Sequence, residues 1–154
     1  MNPNTYQGNA IGCAREGLFV QDAPVSGVVR LLGVVLGANV NQTNTDIAIP
    51  LLLLPGANFI IDYIDINNAS ISLTTATFGV FSAVSAGGVT IVTAAAVLST
   101  LTSATVNLPV SLAATANTTV FNQTTLANNL YFRVGTAQGA AATCDVYVWG
   151  RVLP

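Results

Sequence analysis

Two stretches near the C-terminal end decide the fold: Asn129-Leu130-Tyr131-Phe132-Arg133-Val134-Gly135-Thr136 and Thr143-Cys144-Asp145-Val146-Tyr147-Val148-Trp149-Gly150-Arg151-Val152. In the first, Leu130, Phe132 and Val134 fall on one side of an extended chain, with Tyr131 and Arg133 on the other. In the second, Cys144, Val146, Val148 and Val152 oppose Asp145, Tyr147, Trp149 and Arg151. Side chains of a strand alternate between its faces, so a period of two marks a half-buried β-strand. The aliphatic set in each stretch is the expected core. The remaining set, Tyr131, Arg133, Asp145, Tyr147, Trp149 and Arg151, mixes aromatic rings with charge. Such residues are enriched where protein surfaces meet, and they are the candidate interface residues. The alternative is a solvated face on which a few rings stack against arginine.

The same pattern extends back through the chain. Runs rich in Val, Ile, Leu, Thr, Phe and Tyr predict strands near 28–36, 45–53, 58–67, 73–82, 89–92 and 104–112, besides the two above. Gly37-Ala38-Asn39, Pro55-Gly56 and Gly87-Gly88 read as turns between them, and Ala94-Ala95-Ala96-Val97-Leu98 as one helical turn. About eight short strands with regular breaks predict an all-β sandwich or barrel spanning 28–154. Val28–Leu36 and Leu51–Leu54 are apolar on both faces, which calls for cover on both sides. Residues 1–27 mix polar residues, Gly and Pro without periodicity and are expected to form an extended N-terminal arm.

Composition narrows the function. Of 154 residues 52% are hydrophobic and only 6% charged, against about 25% charged in an ordinary soluble domain. Mean hydropathy is +0.64. A membrane helix is not expected. The greasiest stretch, Ile47–Ile66, is broken by Pro50, Pro55, Gly56, Asn58, Asp62 and Asp65, whereas a span needs about 20 mainly apolar residues. The first residues lack the basic and apolar regions of a secretory signal, so none is expected. Disorder conflicts with so apolar a composition. What fits is a domain whose surface is Thr, Ser, Asn and Ala, with little charge repulsion between copies. A homo-oligomer or larger assembly is therefore expected.

The chemistry is equally sparse. The only basic residues are Arg15, Arg30, Arg133 and Arg151, too few and too scattered for a nucleic-acid footprint or an anionic membrane surface. With no His and no Lys, the usual general base, the Ser and Cys triads, Schiff-base chemistry and a P-loop all drop out. Asp62 and Asp65, three apart on a strand, are expected on opposite faces. The Asn39–Asp46 loop is oxygen-rich but holds a single carboxylate, poor for Ca²⁺. Gly135-Thr136-Ala137-Gln138-Gly139 joins two strands and does not match a dinucleotide fingerprint. No catalytic residue, cofactor or metal site is expected. Cys13 and Cys144 form no CxxC pair; Cys144 reads as a buried apolar side chain. The Asn-x-Ser/Thr sequons at Asn41, Asn68, Asn117 and Asn122 are chance products of an Asn/Thr-rich chain.

The run from Leu130 to Gly150, together with Asn67-Asn68-Ala69-Ser70-Ile71-Ser72-Leu73-Thr74-Thr75-Ala76-Thr77, resembles small virion proteins of tailed bacteriophages, in particular the capsid decoration, or cement, proteins. The likeness covers roughly residues 28–154 and is one of texture and strand spacing, without a diagnostic motif. It implies a jelly-roll β-sandwich of about eight antiparallel strands, commonly trimeric, bound outside an icosahedral head across boundaries between major capsid protein subunits and assembled in the host cytoplasm. It brings no catalytic residues. Residues 1–27 would then suit a gripping extension. Two other readings stand beside it: another virion subunit (fibre, tail or coat), and a carbohydrate-binding module with Tyr131, Tyr147 and Trp149 as its platform.

Overall fold

A computed structural model describes residues 27–154, and within them it is all-β. Nine strands run β1 (Arg30–Asn39), β2 (Asp46–Pro50), β3 (Asn58–Asn67), β4 (Thr77–Ala83), β5 (Gly87–Val97), β6 (Leu108–Val110), β7 (Phe121–Asn122), β8 (Asn129–Thr136) and β9 (Thr143–Leu153), with one short 3₁₀ turn at Ala116–Thr118. All pairings are antiparallel, in two sheets ordered β1-β9-β3-β6 and β2-β8-β4-β5. The two-residue β7 continues the β6 edge of β3. Leaving β7 aside, the order is first-eighth-third-sixth facing second-seventh-fourth-fifth, the strand order of a jelly roll.

The core lies between the sheets and is built by the aliphatic sets of the alternation. Leu130, Phe132 and Val134 of β8 and Cys144, Val146 and Val148 of β9 are wholly buried. Phe78 stacks on Phe132 at 5.1 Å between ring centroids, and Phe59 on Phe121 at 5.6 Å. Each such side chain contributes about 1.5–3 kcal/mol by leaving water.

Several expectations need correction, among them the Gly37-Ala38-Asn39 turn, which lies within β1 as a bulge. The Ala94–Leu98 stretch forms no helical turn; Gly87–Val97 is a single strand. Phe78 pairs with Ala96 but Val80 with Val92, so surplus residues of β5 are pushed out of the ladder. They lie over Gly79 and Gly135, where a Cβ would come within 2.9 Å of Ala94 backbone atoms. The helix propensity of alanine lost to the ladder on either side. The β4–β5 turn sits at Ser85-Ala86, both in the left-handed region (φ 59° each), before the Gly87-Gly88 pair. Strands expected at 45–53, 73–82 and 104–112 are shorter, and Phe121–Asn122 adds a strand the sequence did not signal. Finally, among the described residues the Leu51–Leu54 stretch is covered on one face only: Leu51 and Leu53 are buried, whereas Leu52 is 53% and Leu54 60% exposed.

Candidate interface

β8 and β9 are consecutive in the chain but belong to different sheets. The six candidate residues are therefore dealt onto opposite outer faces of the sandwich. Tyr131 and Arg133 lie outside the β2-β8-β4-β5 sheet; Tyr147, Trp149 and Arg151 lie outside the other. A single platform of Tyr131, Tyr147 and Trp149 does not exist in this fold, because the sheets and the core stand between the first ring and the other two.

On the β8 face the charge is consumed locally. Arg133 Nη1 donates to Asp46 Oδ1 at 2.7 Å and its Nη2 to Asn44 Oδ1 at 3.3 Å, while the Ser85 amide donates to Asp46 Oδ2 at 2.8 Å. Burial alone would raise the Asp46 carboxyl, but the bonds from Arg133 and Ser85, with the Arg133 charge, hold its pKa below the ordinary value. On the β9 face, Arg151 forks onto Asp62, with Nη2–Oδ1 at 2.6 Å and Nε–Oδ2 at 3.0 Å. The Asp62 partnership raises the Arg151 pKa further.

Asp145 departs from expectation. Its position follows the outward parity of β9, yet it is only 8% exposed. Its Oδ1 accepts the Gly37 amide at 2.7 Å and its Oδ2 the Asn68 side-chain amide at 2.9 Å. Gly37 belongs to an irregularity of β1 between Val35 and Ala38 and has φ +64°. A buried carboxylate needs hydrogen-bond donors, and this bulge supplies one. Asp145 thus fastens β1 and Asn68 to β9 and presents no free charge to a partner.

A ring that simple alternation does not mark joins the β9 face. Tyr63 of β3 lies opposite Trp149, their ring centroids 6.0 Å apart and planes 17° from parallel. Alternation from Phe59 and Ile61 would turn Tyr63 inward, but the β3–β9 register slips between Ile61 and Tyr63. That bulge sets Ile64 and Ile66 inward in place of Tyr63 and Asp65. The sequence carries the signal as two apolar pairs out of phase by one residue. The same slip overturns the expectation for Asp62 and Asp65, which share the outer face. Each is occupied separately, Asp62 by Arg151 and Asp65 by the Asn107 side-chain amide at 3.3 Å.

Leu31 and Val34 of β1 pair with Trp149 and Tyr147, so this outer face carries an apolar strip Leu31–Trp149–Tyr63 with Val34–Tyr147 beside it. Trp149 Nε1 is shielded from solvent and meets no acceptor among the described residues. No three His, Cys, Asp or Glu of the described residues gather as metal ligands. In the Asn39–Asp46 loop, Asn39 Oδ1 is taken by the Asn41 amide and Asp46 by Arg133. Cys144 is fully buried with no disulfide partner among the described residues, and its thiol pKa is pushed up to about 12, by burial first and the Asp145 charge second. Cys13 and the arm over 1–27, apart from Gly27, lie outside the described residues.

No protein-family model matches this chain, and searches of curated proteins and of solved structures found no match.

Proposed function

We propose that this chain is a structural virion subunit, a decoration protein that binds the outside of a phage head as a homo-oligomer, trimeric in the favoured form, and stabilises it by bridging major capsid protein subunits. The observation that carries this reading is the open outer face of the β1-β9-β3-β6 sheet. Two of its charges, Asp62 and Arg151, neutralise each other, and Asp65, opposite Tyr147, accepts the Asn107 side-chain amide. What remains to offer is Leu31, Val34, Tyr63, Tyr147 and Trp149. Burying that strip against protein gains the transfer free energy of apolar surface, with Asp62 and Arg151 kept as a pair and Asp65 calling for a hydrogen-bond donor on the partner. Several copies engaging several sites at once multiply modest single-site affinities. Nothing in this reading calls for catalysis.

Cryo-microscopy of the parent particle tests it: density for the chain on the outer capsid surface, with the β9 face against a neighbour, is the expected result. A head lacking the chain rejects it. Finding the chain in the tail, a fibre or the shell itself selects the alternative virion subunit.

One observation favours a second reading. The near-parallel Tyr63–Trp149 pair, beside Asp65 and Asn107, offers rings and polar groups together, as a carbohydrate-binding module does. Saturable binding on a glycan array that Trp149→Ala abolishes would select this reading, and an empty array would remove it.

A further inference from the structure

The two long sides of the sandwich are unlike. On one, β1 ends its sheet and lies beside the end of β2, where the Leu52 amide donates to the Leu32 carbonyl at 2.7 Å. On the other, β5 and β6 end the two sheets.

The β1 side carries a knob. Leu36, 65% exposed, is the most exposed large apolar side chain among the described residues. Val35 pairs with Val146 and Ala38 with Cys144, so Leu36 and Gly37 bulge out together opposite Asp145. Gly37 lies in the left-handed region at φ +64°, and its amide is held by Asp145 at 2.7 Å. A bulge of this kind re-aims a side chain, and on an edge strand it makes a poor template for adding another strand. What β1 offers a neighbour is a fixed side chain and not a ladder.

The β5–β6 side carries a socket. A cavity of about 240 Å³ opens there, lined by Val92, Ala96, Val97, Leu108, Pro109 and Val110 among others, with no charged residue in its lining. It is smaller than the roughly 300–1,000 Å³ of a small-molecule site and suits a branched aliphatic side chain. Knob and socket agree in charge: the Asp145 carboxylate beside Leu36 is turned onto Gly37 and Asn68, so neither side strands an ion when the two meet. They agree in level as well. Asp145, opposite Leu36, pairs with Asn67 of β3, and the adjacent Ile66 pairs with Leu108 at the socket.

We infer that the socket of one copy of this chain seats Leu36 of a second copy. Knob and socket stand on opposite sides of the molecule, so the contact runs head to tail. They share one level along the strands, so its repetition has little climb and closes as a ring in place of a helical filament. This contact rests on the homo-oligomer of the reading above, gives it an interface, and is separate from the β9 face.

Sedimentation equilibrium on the full chain tests it. Leu36→Ser, at an exposed position where folding is little affected, is expected to weaken self-association about 30-fold. Unchanged self-association overturns the contact, and if Leu36→Ser lowers only binding to heads, the knob belongs to another protein and the contact is equally overturned. A second measurement uses a Cys13→Ser background, in which Cys144 is buried. There, Leu36→Cys mixed with Val97→Cys is expected to form disulfide-linked dimers about tenfold faster than either variant alone, because docking raises the local thiol concentration. Leu36→Cys linking to itself as fast as in the mixture would mean that like patches meet, which overturns the head-to-tail contact. The two readings fail separately. A chain that forms the ring in solution through Leu36 yet is absent from the head supports this contact and sinks the virion assignment. A head-bound chain whose Leu36→Ser variant still self-associates sinks the contact alone.

Discussion

The two outer faces of the sandwich are made from ladders of the same kind and finished in opposite ways. Outside β2-β8-β4-β5 the chain closes over itself. The Ser85 turn reaches across to Asp46, the extruded residues of β5 rest on Gly79 and Gly135, and Phe81 is 3% exposed although it lies outside the main core cluster. Outside β1-β9-β3-β6 no segment of the described chain plays that part. There the bulge at Asp62 rotates Tyr63 outward beside Trp149, and a strip of rings and aliphatic side chains runs across three strands. Bulges serve both ends: on β5 the surplus residues become a cover, and on β3 the surplus residue re-aims a side chain. The covered face has buried its apolar surface within the domain; the other leaves rings and aliphatic side chains without a cover among the described residues.

The largest expected effect tests the closure. In Gly135→Val the new Cβ would meet Thr77 Oγ1 at 2.8 Å and the Ala94 carbonyl at 2.9 Å. Valine ordinarily favours a strand over glycine, so an open site would gain stability. We expect instead a loss of about 2–4 kcal/mol by urea denaturation, because the obstruction is partly backbone. A neutral or stabilising change would mean the β5 cover is not in place.

The next sharpens the open face. Trp149→Ser is expected to weaken association, with copies or with the capsid, by about 30-fold, the scale of an interface hot spot. Sedimentation equilibrium and particle binding read it out. Unchanged association would leave the β9 strip as mere surface.

A smaller effect returns to the closed face. Asp46→Asn keeps the shape but gives up the ionic bonds to Arg133 and the Ser85 amide, and is expected to cost about 1–2 kcal/mol at pH 7. The folded-state pKa of Asp46 is lowered, so its contribution is complete above the unfolded carboxylate value of 3.8 and is lost as pH falls through the lower folded value. The gap between wild type and Asp46→Asn should therefore narrow below about pH 4 in acid titrations of stability. A gap that widens with acid would contradict the sign.

Much of the fold is legible in the amino-acid sequence alone, and the parts that are not share a common cause. β3 and β8 fall at the expected residues, and β9 runs one residue past its expected end, because period-two alternation in a half-buried strand is a direct trace of its two environments. The failures gather where the ladder slips. Alternation counted through Asp62 points Tyr63 into the core, and composition at Ala94–Leu98 favours a helix that the long strand overrides. Asp145 is surface by parity and is buried because the β1 bulge brings the Gly37 amide onto it. Above all, alternation gives a face for each strand and says nothing of which sheet the strand joins. Tyr131 and Trp149 carry the same local pattern, and only the jelly-roll order, sending β8 and β9 to different sheets, separates them.

That separation supplies the smallest effect and the sharpest discrimination. Tyr131 pairs across the ladder with Ala48 on one side and Phe81 on the other, on the outer face away from Trp149. Tyr131→Ser is expected to leave association within about twofold of wild type, the range of a substitution away from the contact, while Trp149→Ser reduces it about 30-fold. Each ring stands on an inner strand of its sheet, one on either outer face. If Tyr131→Ser impairs assembly as severely as Trp149→Ser, both sides of the sandwich touch partners, and the contrast between a covered and a bare face is not what governs how the protein associates.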